Sequence, residues 1–149
     1  MTIRRSRLEW GVPYCMGDFG PEKQMSWTCK YAGGLVEMTV DGLFTGDDLA
    51  QLEREIGRIE AEAPVTPHRL ADMSAVTGVS IGISDMDSFA ARRTAAKLRN
   101  RVKSGIVATA PVQYGFARMF LSLMSNPMIT VSVFRERESA LKWLGEDSA

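Results

Sequence analysis

Histidine occurs once and cysteine twice in the 149 residues, as His68, Cys15 and Cys29. That scarcity removes several chemistries at once. No Cys-x-x-Cys pair exists, so a thioredoxin-type redox motif is excluded. One histidine and two scattered cysteines also lack the ligand spacing of a zinc site. A disulfide between Cys15 and Cys29 is not expected in a reducing cytosol. His68 follows Pro67 and has no nucleophile at motif spacing, which excludes a histidine-dependent hydrolase and leaves a turn or strand-edge histidine. Charge of one sign is missing too: eighteen basic residues balance eighteen acidic ones. No global field therefore draws in nucleic acid or an anionic membrane. No apolar run approaches the roughly 18 residues of a membrane helix, and Met1–Arg7 lacks the apolar stretch of a secretory signal. A soluble cytoplasmic protein is expected.

Against these absences stands an ordinary globular composition, 45% apolar and 24% charged. Residues 1–149 have the size of one domain, and such a chain buries roughly 70% of its unfolded surface without disulfides or metal. Residues 1–26 are punctuated by Gly11, Pro13, Gly17, Gly20 and Pro21 and suggest at most one strand around Leu8–Tyr14. Ser26–Tyr31 and Leu35–Val40 read as strands joined at Ala32-Gly33-Gly34, a hairpin signal, with Asp41-Gly42 as the exit. Thr45 is the expected N-cap of a first helix whose Asp47 and Asp48 face the positive dipole end. Leu49, Leu52, Ile56, Ile59 and Ala63 give it one apolar stripe, and Pro64 and Pro67 end it.

Arg69–Ser74 reads as a central strand, and Ser74 to Ser84 as a loop. Ser84 with Asp87 predicts the start of a second helix carrying Ala91, Ala95, Leu98 and Val102 and ending at Gly105. A strand over Gly105–Ala110, a helix over Tyr114–Ser125, a strand over Met128–Phe134 and a helix over Ser139–Leu144 follow. Strands alternating with helices predict an α/β fold, a mostly parallel or mixed sheet covered by helices.

No phosphate-binding loop is present, since Gly33-Gly34 sits in a hairpin and Gly78 and Gly82 do not complete Gly-x-Gly-x-x-Gly. A phosphoaspartate receiver is excluded as well. Asp72 and Thr109 end adjacent strands, but no acidic pair follows the first strand and no lysine the last. Arg92, Arg93, Lys97, Arg99, Arg101 and Lys103 fall within twelve residues without an acid. They read either as a solvated helix face or as a surface for an anionic partner; no interleaved aromatics favour nucleic acid. Nine methionines are present. Met119, Met124 and Met128 cluster with Phe116 and Phe120, as a core does, or as an adaptable apolar pocket or dimer face does.

Three stretches carry a family resemblance. They are Val40-Asp-Gly-Leu-Phe-Thr-Gly-Asp-Asp-Leu49, then Val107-Ala-Thr-Ala110 with Gln113-Tyr-Gly-Phe-Ala-Arg-Met-Phe120, then Val131-Ser-Val-Phe-Arg135 with Ser139-Ala-Leu-Lys-Trp-Leu144. Through them residues 36–144 resemble the SpoIIAA-like, STAS-like family of small bacterial proteins, whose fold is shared with STAS and CRAL-TRIO lipid-binding domains. The resemblance implies a STAS-like mixed sheet packed against helices, with an N-terminal hairpin region. Asp72-Met-Ser-Ala-Val-Thr77 is similar to the first half of the motif found in antagonists of anti-sigma factors. The second half is replaced by Gly78-Val-Ser-Ile-Gly-Ile-Ser-Asp85, so their phosphorylatable serine has no exact counterpart.

The expectation is a non-enzymatic STAS-like regulatory or protein-interaction module, without cofactor or metal. A binding protein for a small lipid-like or anionic ligand is the alternative. Homodimerisation is expected through the apolar arc Phe116–Met124. The site is expected at the carboxyl ends of the parallel strands, from Asp72, Ser74, Ser80, Ser84, Thr109, Tyr114 and Arg118. There Arg118 offers a cation and Tyr114 a hydroxyl to an anion, unless Arg118 pairs with Asp72. For Ser84 a plain N-cap is the simpler role.

Overall fold

The computed structural model describes residues 2–4 and 26–146. The chain runs β1 (Thr2–Arg4), β2 (Trp27–Ala32), β3 (Leu35–Thr45), α1 (Gly46–Glu62), β4 (His68–Ser80), α2 (Ile83–Ala95), β5 (Val102–Val107), α3 (Pro111–Leu123), β6 (Ile129–Phe134) and α4 (Arg137–Leu144). The strands form one mixed sheet in sequence order. β1, β2 and β3 are antiparallel neighbours, while β3 to β6 are parallel. The expected strand around Leu8–Tyr14 lies outside the described residues.

Local chemistry explains the first half. Gly33 and Gly34 have φ of 60° and 75°, the two positive values that a tight β2–β3 turn needs and that glycine adopts without a Cβ penalty. Thr45 caps α1: its Oγ1 accepts from the Asp48 amide at 3.2 Å, and the Thr45 amide donates back to Asp48 Oδ2 at 3.1 Å. Leu49, Leu52, Ile56 and Ile59 are all buried under that cap, each contributing about 1.5–3 kcal/mol of transfer free energy.

The parallel strands β3 to β6 are laid down in one direction across the sheet. Crossovers of one hand then put all three connecting helices on the same face. There α1, α2 and α3 close the main core over Val36, Met38, Met73 and Ile106. On the other face α4 is the one helix among the described residues, burying Ala140 and Leu144 against Leu70 and Val107. Residues one step apart on β4, Arg69 and Leu70, therefore serve opposite cores.

Three sequence expectations are corrected. β3 does not leave the sheet at Asp41-Gly42. It passes through with Gly42 at φ 66° and register shifts on either side, and continues to Thr45. Nor is the segment after Ser74 a loop, because β4 continues to Ser80, pairing Ala75 through Ser80 with Asp41 through Thr45. The second helix starts one residue before Ser84, at Ile83 after an N-cap Gly82 that makes no side-chain bond, and stops at Ala95. Its stop is set from outside: Asn126 Nδ2 donates to the carbonyls of Arg93 and Ala96 at 2.9 and 3.1 Å. Val102 thereby becomes the first residue of β5 rather than the last of a helical stripe.

Candidate functional site

Asp72, Val107 and Phe134 stand in register across β4, β5 and β6. They mark the crest where β5 and β6 end while β4 runs on beside β3. At this crest Asp72 Oδ1 accepts from the Ser74 amide at 3.0 Å and from its hydroxyl at 2.6 Å. Asp72 Oδ2 accepts from Arg137 Nη1 at 3.3 Å, and the same guanidinium pairs with Glu37. Arg137 thus takes the place beside Asp72 that Arg118 was a candidate to fill.

Gln113, 2% exposed, organises the neighbouring turn. Its Oε1 accepts from the Thr109 amide (2.7 Å), the Thr109 hydroxyl (3.1 Å) and the Ala110 amide (3.0 Å). Its Nε2 donates to the carbonyls of Ser74 and Val76 at 3.1 and 2.9 Å. One side chain therefore locks the start of α3 to β4 and occupies donors that an anion at that helix start would otherwise take. Gln113 opens one of the stretches that carry the family resemblance, but the only sequence signal for its role at this turn is its place three residues after the N-cap Ala110.

Tyr114 and Arg118 lie one turn apart on the exposed side of α3. Arg118 and Arg135 place their guanidinium carbons 6.0 and 5.9 Å from the Tyr114 ring centroid, within cation–π range. Neither arginine forms an ion pair with a described residue. Tyr114 and Arg118 continue into a groove of about 510 Å3 between α3 and β6, lined further by Leu121, Ser122, Val131, Ser132 and Val133. β6 is the last strand of the sheet, and no described residue pairs with its outer edge. Along α3, Met119, Leu121 and Leu123 are 46%, 37% and 41% exposed.

The expected site residues thus divide. Asp72, Ser74, Thr109, Tyr114 and Arg118 gather around the crest and α3. Ser80 pairs with Thr45 at the far end of β4, six strand residues or roughly 20 Å beyond Ser74, and Ser84 is exposed in the first turn of α2. The separation follows from β4 being a strand where a loop was expected. Arg135 joins the site unannounced, because a single arginine after a strand has no motif.

The basic run from Arg92 to Lys103 is not one surface. Arg92 pairs with Glu53, and Arg93 is buried on Glu60. Arg99 donates to the carbonyls of Glu60, Ala61 and Ala63 at the end of α1. Lys103 Nζ donates to the carbonyls of Trp143 and Glu146 at 2.9 and 2.7 Å. His68 lies nearby on β4, its Nδ1 accepting from the Lys103 amide at 2.8 Å. Burial, and then the charge of Lys103, hold its pKa below the ordinary 6.5. Cys29 is a free, buried thiol pushed up to about 12, first by burial and then by Glu55.

A second feature lies inside the main core. A cavity of about 70 Å3 opens between the sheet and α1–α3, walled largely by apolar side chains such as Met38, Leu52, Met73 and Phe120, with Arg69 and Ser104 as its polar members. Arg69 is 6% exposed, and its Nη2 donates to Glu60. Glu60 also accepts from Arg93 Nη1 at 3.1 Å. Burial alone would raise the Glu60 pKa, but Arg69 and Arg93 outweigh it and hold the carboxyl below its ordinary value. Burial, then Arg93, lowers Arg69 to about 10.

With a mixed sheet carrying three crossover helices on one face and a terminal helix on the other, the fold is SpoIIAA-like. A solved structure shares it: an uncharacterised protein of the DUF3478 family with a SpoIIAA-like fold from Shewanella loihica PV-4. It is 14% identical, with a TM-score of 0.55, and the match covers 84% of this chain and 99% of that one. No protein-family model and no curated protein matches the chain.

Proposed function

We propose that the chain is a non-enzymatic regulatory or protein-interaction module of STAS type, acting in the cytoplasm and docking through the groove between α3 and β6. Its first partner is a second copy of itself, in a homodimer. The observation that carries this reading is the groove itself, where Leu121, 37% exposed, and the half-buried Val131 and Val133 lie beside a strand whose outer edge pairs with no described residue. Single exposed apolar residues are ordinary, but several lining one groove beside an open strand edge make a surface that a partner covers. The strand edge adds main-chain donors and acceptors, and Arg118 and Arg135 favour an acidic rim on whatever docks.

The polar groups at the crest support a non-enzymatic role. The Ser74 hydroxyl is committed to Asp72, and Asp72 is neutralised by Arg137. His68, the one imidazole, sits on a backbone amide in another part of the sheet. The test is light scattering after gel filtration of wild type and Leu121→Glu. The reading expects a dimer for wild type and a monomer with an unchanged circular dichroism spectrum for the variant. A monomeric wild type at tens of micromolar would overturn it.

The interior cavity favours a second reading, a binding protein for a small apolar or anionic ligand. Its apolar walls and buried Arg69 support it. Native mass spectrometry of the purified 16.4 kDa chain tests this, since a copurifying ligand adds mass to the protein and a bare chain counts against one.

A further inference from the structure

Two cations and one anion are buried together beside the cavity. Arg69 and Arg93 have side chains 7% exposed and share Glu60, itself 12% exposed. One positive charge is therefore left over in a place where an unpaired charge is costly. The hydrogen bonds show the same excess. Among the described residues only Nη2 of the Arg69 nitrogens finds a partner, and Nε is buried without one. Ser104 is the direct register partner of Arg69 on β5 and lines the same cavity. Its hydroxyl meets no hydrogen-bond partner among the described residues.

We infer that the cavity binds a short aliphatic monocarboxylate, its carboxylate on Arg69 and Ser104 and its alkyl end among Met38, Met73 and Phe120. This rests on the second reading above and adds the chemical class of the ligand. An anion supplies the charge that Glu60 cannot provide twice. A carboxylate also matches the donor set, since it accepts from a guanidinium edge and a hydroxyl at once. A negative neighbour would further favour the charged form of Arg69, whose pKa burial and Arg93 hold down.

Size limits the chain length. The 70 Å3 is near half of the about 150 Å3 that accommodates benzene in an engineered cavity, so about three to five heavy atoms fit. Methionine walls yield readily, and Met38 and Met73 give the alkyl end that latitude.

The test compares acetate and propionate with the matching alcohols, read by calorimetric titration and by thermal unfolding of wild type and Arg69→Met. The variant leaves Glu60 paired with Arg93 alone, a balanced pair, and Ser104→Ala serves as a second, smaller perturbation. The inference expects carboxylates to raise the wild-type midpoint and the variant to bind them at least about tenfold more weakly, as loss of a charged hydrogen bond implies. Alcohols that bind as well as the carboxylates would overturn the anion class and leave the cavity reading standing. Equal carboxylate binding by wild type and both variants would place the anion elsewhere and overturn the site. If neither series binds, both the inference and the cavity reading fail.

Discussion

Replacing Glu60 with alanine leaves Arg69 and Arg93 buried, adjacent and without a counter-ion. Glu60 accepts from both guanidinium groups, and none of the three side chains is more than 12% exposed. Removing one partner of a buried pair costs about 3–5 kcal/mol, because the stranded charge keeps its desolvation penalty and loses its attraction. Here two charges are stranded and also repel each other, so the upper end of that range is expected. Against a typical stability of about 5–15 kcal/mol this is a large share. Arg69→Met keeps the Glu60–Arg93 pair and should cost much less, since replacing buried charge with apolar volume is often near neutral.

Urea unfolding followed by circular dichroism reads the difference directly, provided the denaturant slope is unchanged. The same carboxyl gives a pH dependence. Its folded pKa is held below 4.5, so its contribution is present above that pH and is lost as the pH falls through the folded value. A Glu60→Ala variant within about 1 kcal/mol of wild type would refute the reasoning, for it would mean that the cluster is solvated like a surface pair.

Gln113→Ala should cost about 2–4 kcal/mol, because it strips the Thr109 and Ala110 amides and the Ser74 and Val76 carbonyls of their partner; thermal unfolding checks it, and Gln113→Glu should recover the acceptor half alone. His68 must be neutral to accept from the Lys103 amide, and its folded pKa is depressed. Stability from that bond is therefore full above pH 6.5 and declines as the pH falls through the lower folded value. Urea midpoints measured through that range should fall more steeply for wild type than for His68→Gln, and parallel curves would contradict the assignment.

How far the sequence could be read depended on where each signal lay. The α1 start was legible because Thr45, Asp47 and Asp48 are neighbours and the cap is built within one turn. The β2–β3 hairpin was legible for the same reason, two adjacent glycines being sufficient. The extension of β4 was not. Ser74 to Ser80 reads as a loop until the equally unpromising Asp41–Thr45 is laid beside it, and each segment becomes a strand only through the other. The basic run misled in a similar way, since Arg92, Arg93 and Arg99 find their partners on α1, more than thirty residues away. The crest residues Asp72, Ser74 and Thr109 followed from topology alone. Arg135, Arg137 and Gln113, which decide the charge and hydrogen bonding there, carry no local pattern that marks them.

Hydrogen–deuterium exchange at low and high protein concentration tests the docking surface most directly, because it reads association and its location together. The account predicts that amides of β6 and side-chain-covered segments of α3 around Leu121 exchange more slowly at tens of micromolar than at submicromolar concentration. Amides of β4 and β5, already paired within the sheet, should not change. Identical exchange of β6 at both concentrations, or protection that appears on another face, would contradict it.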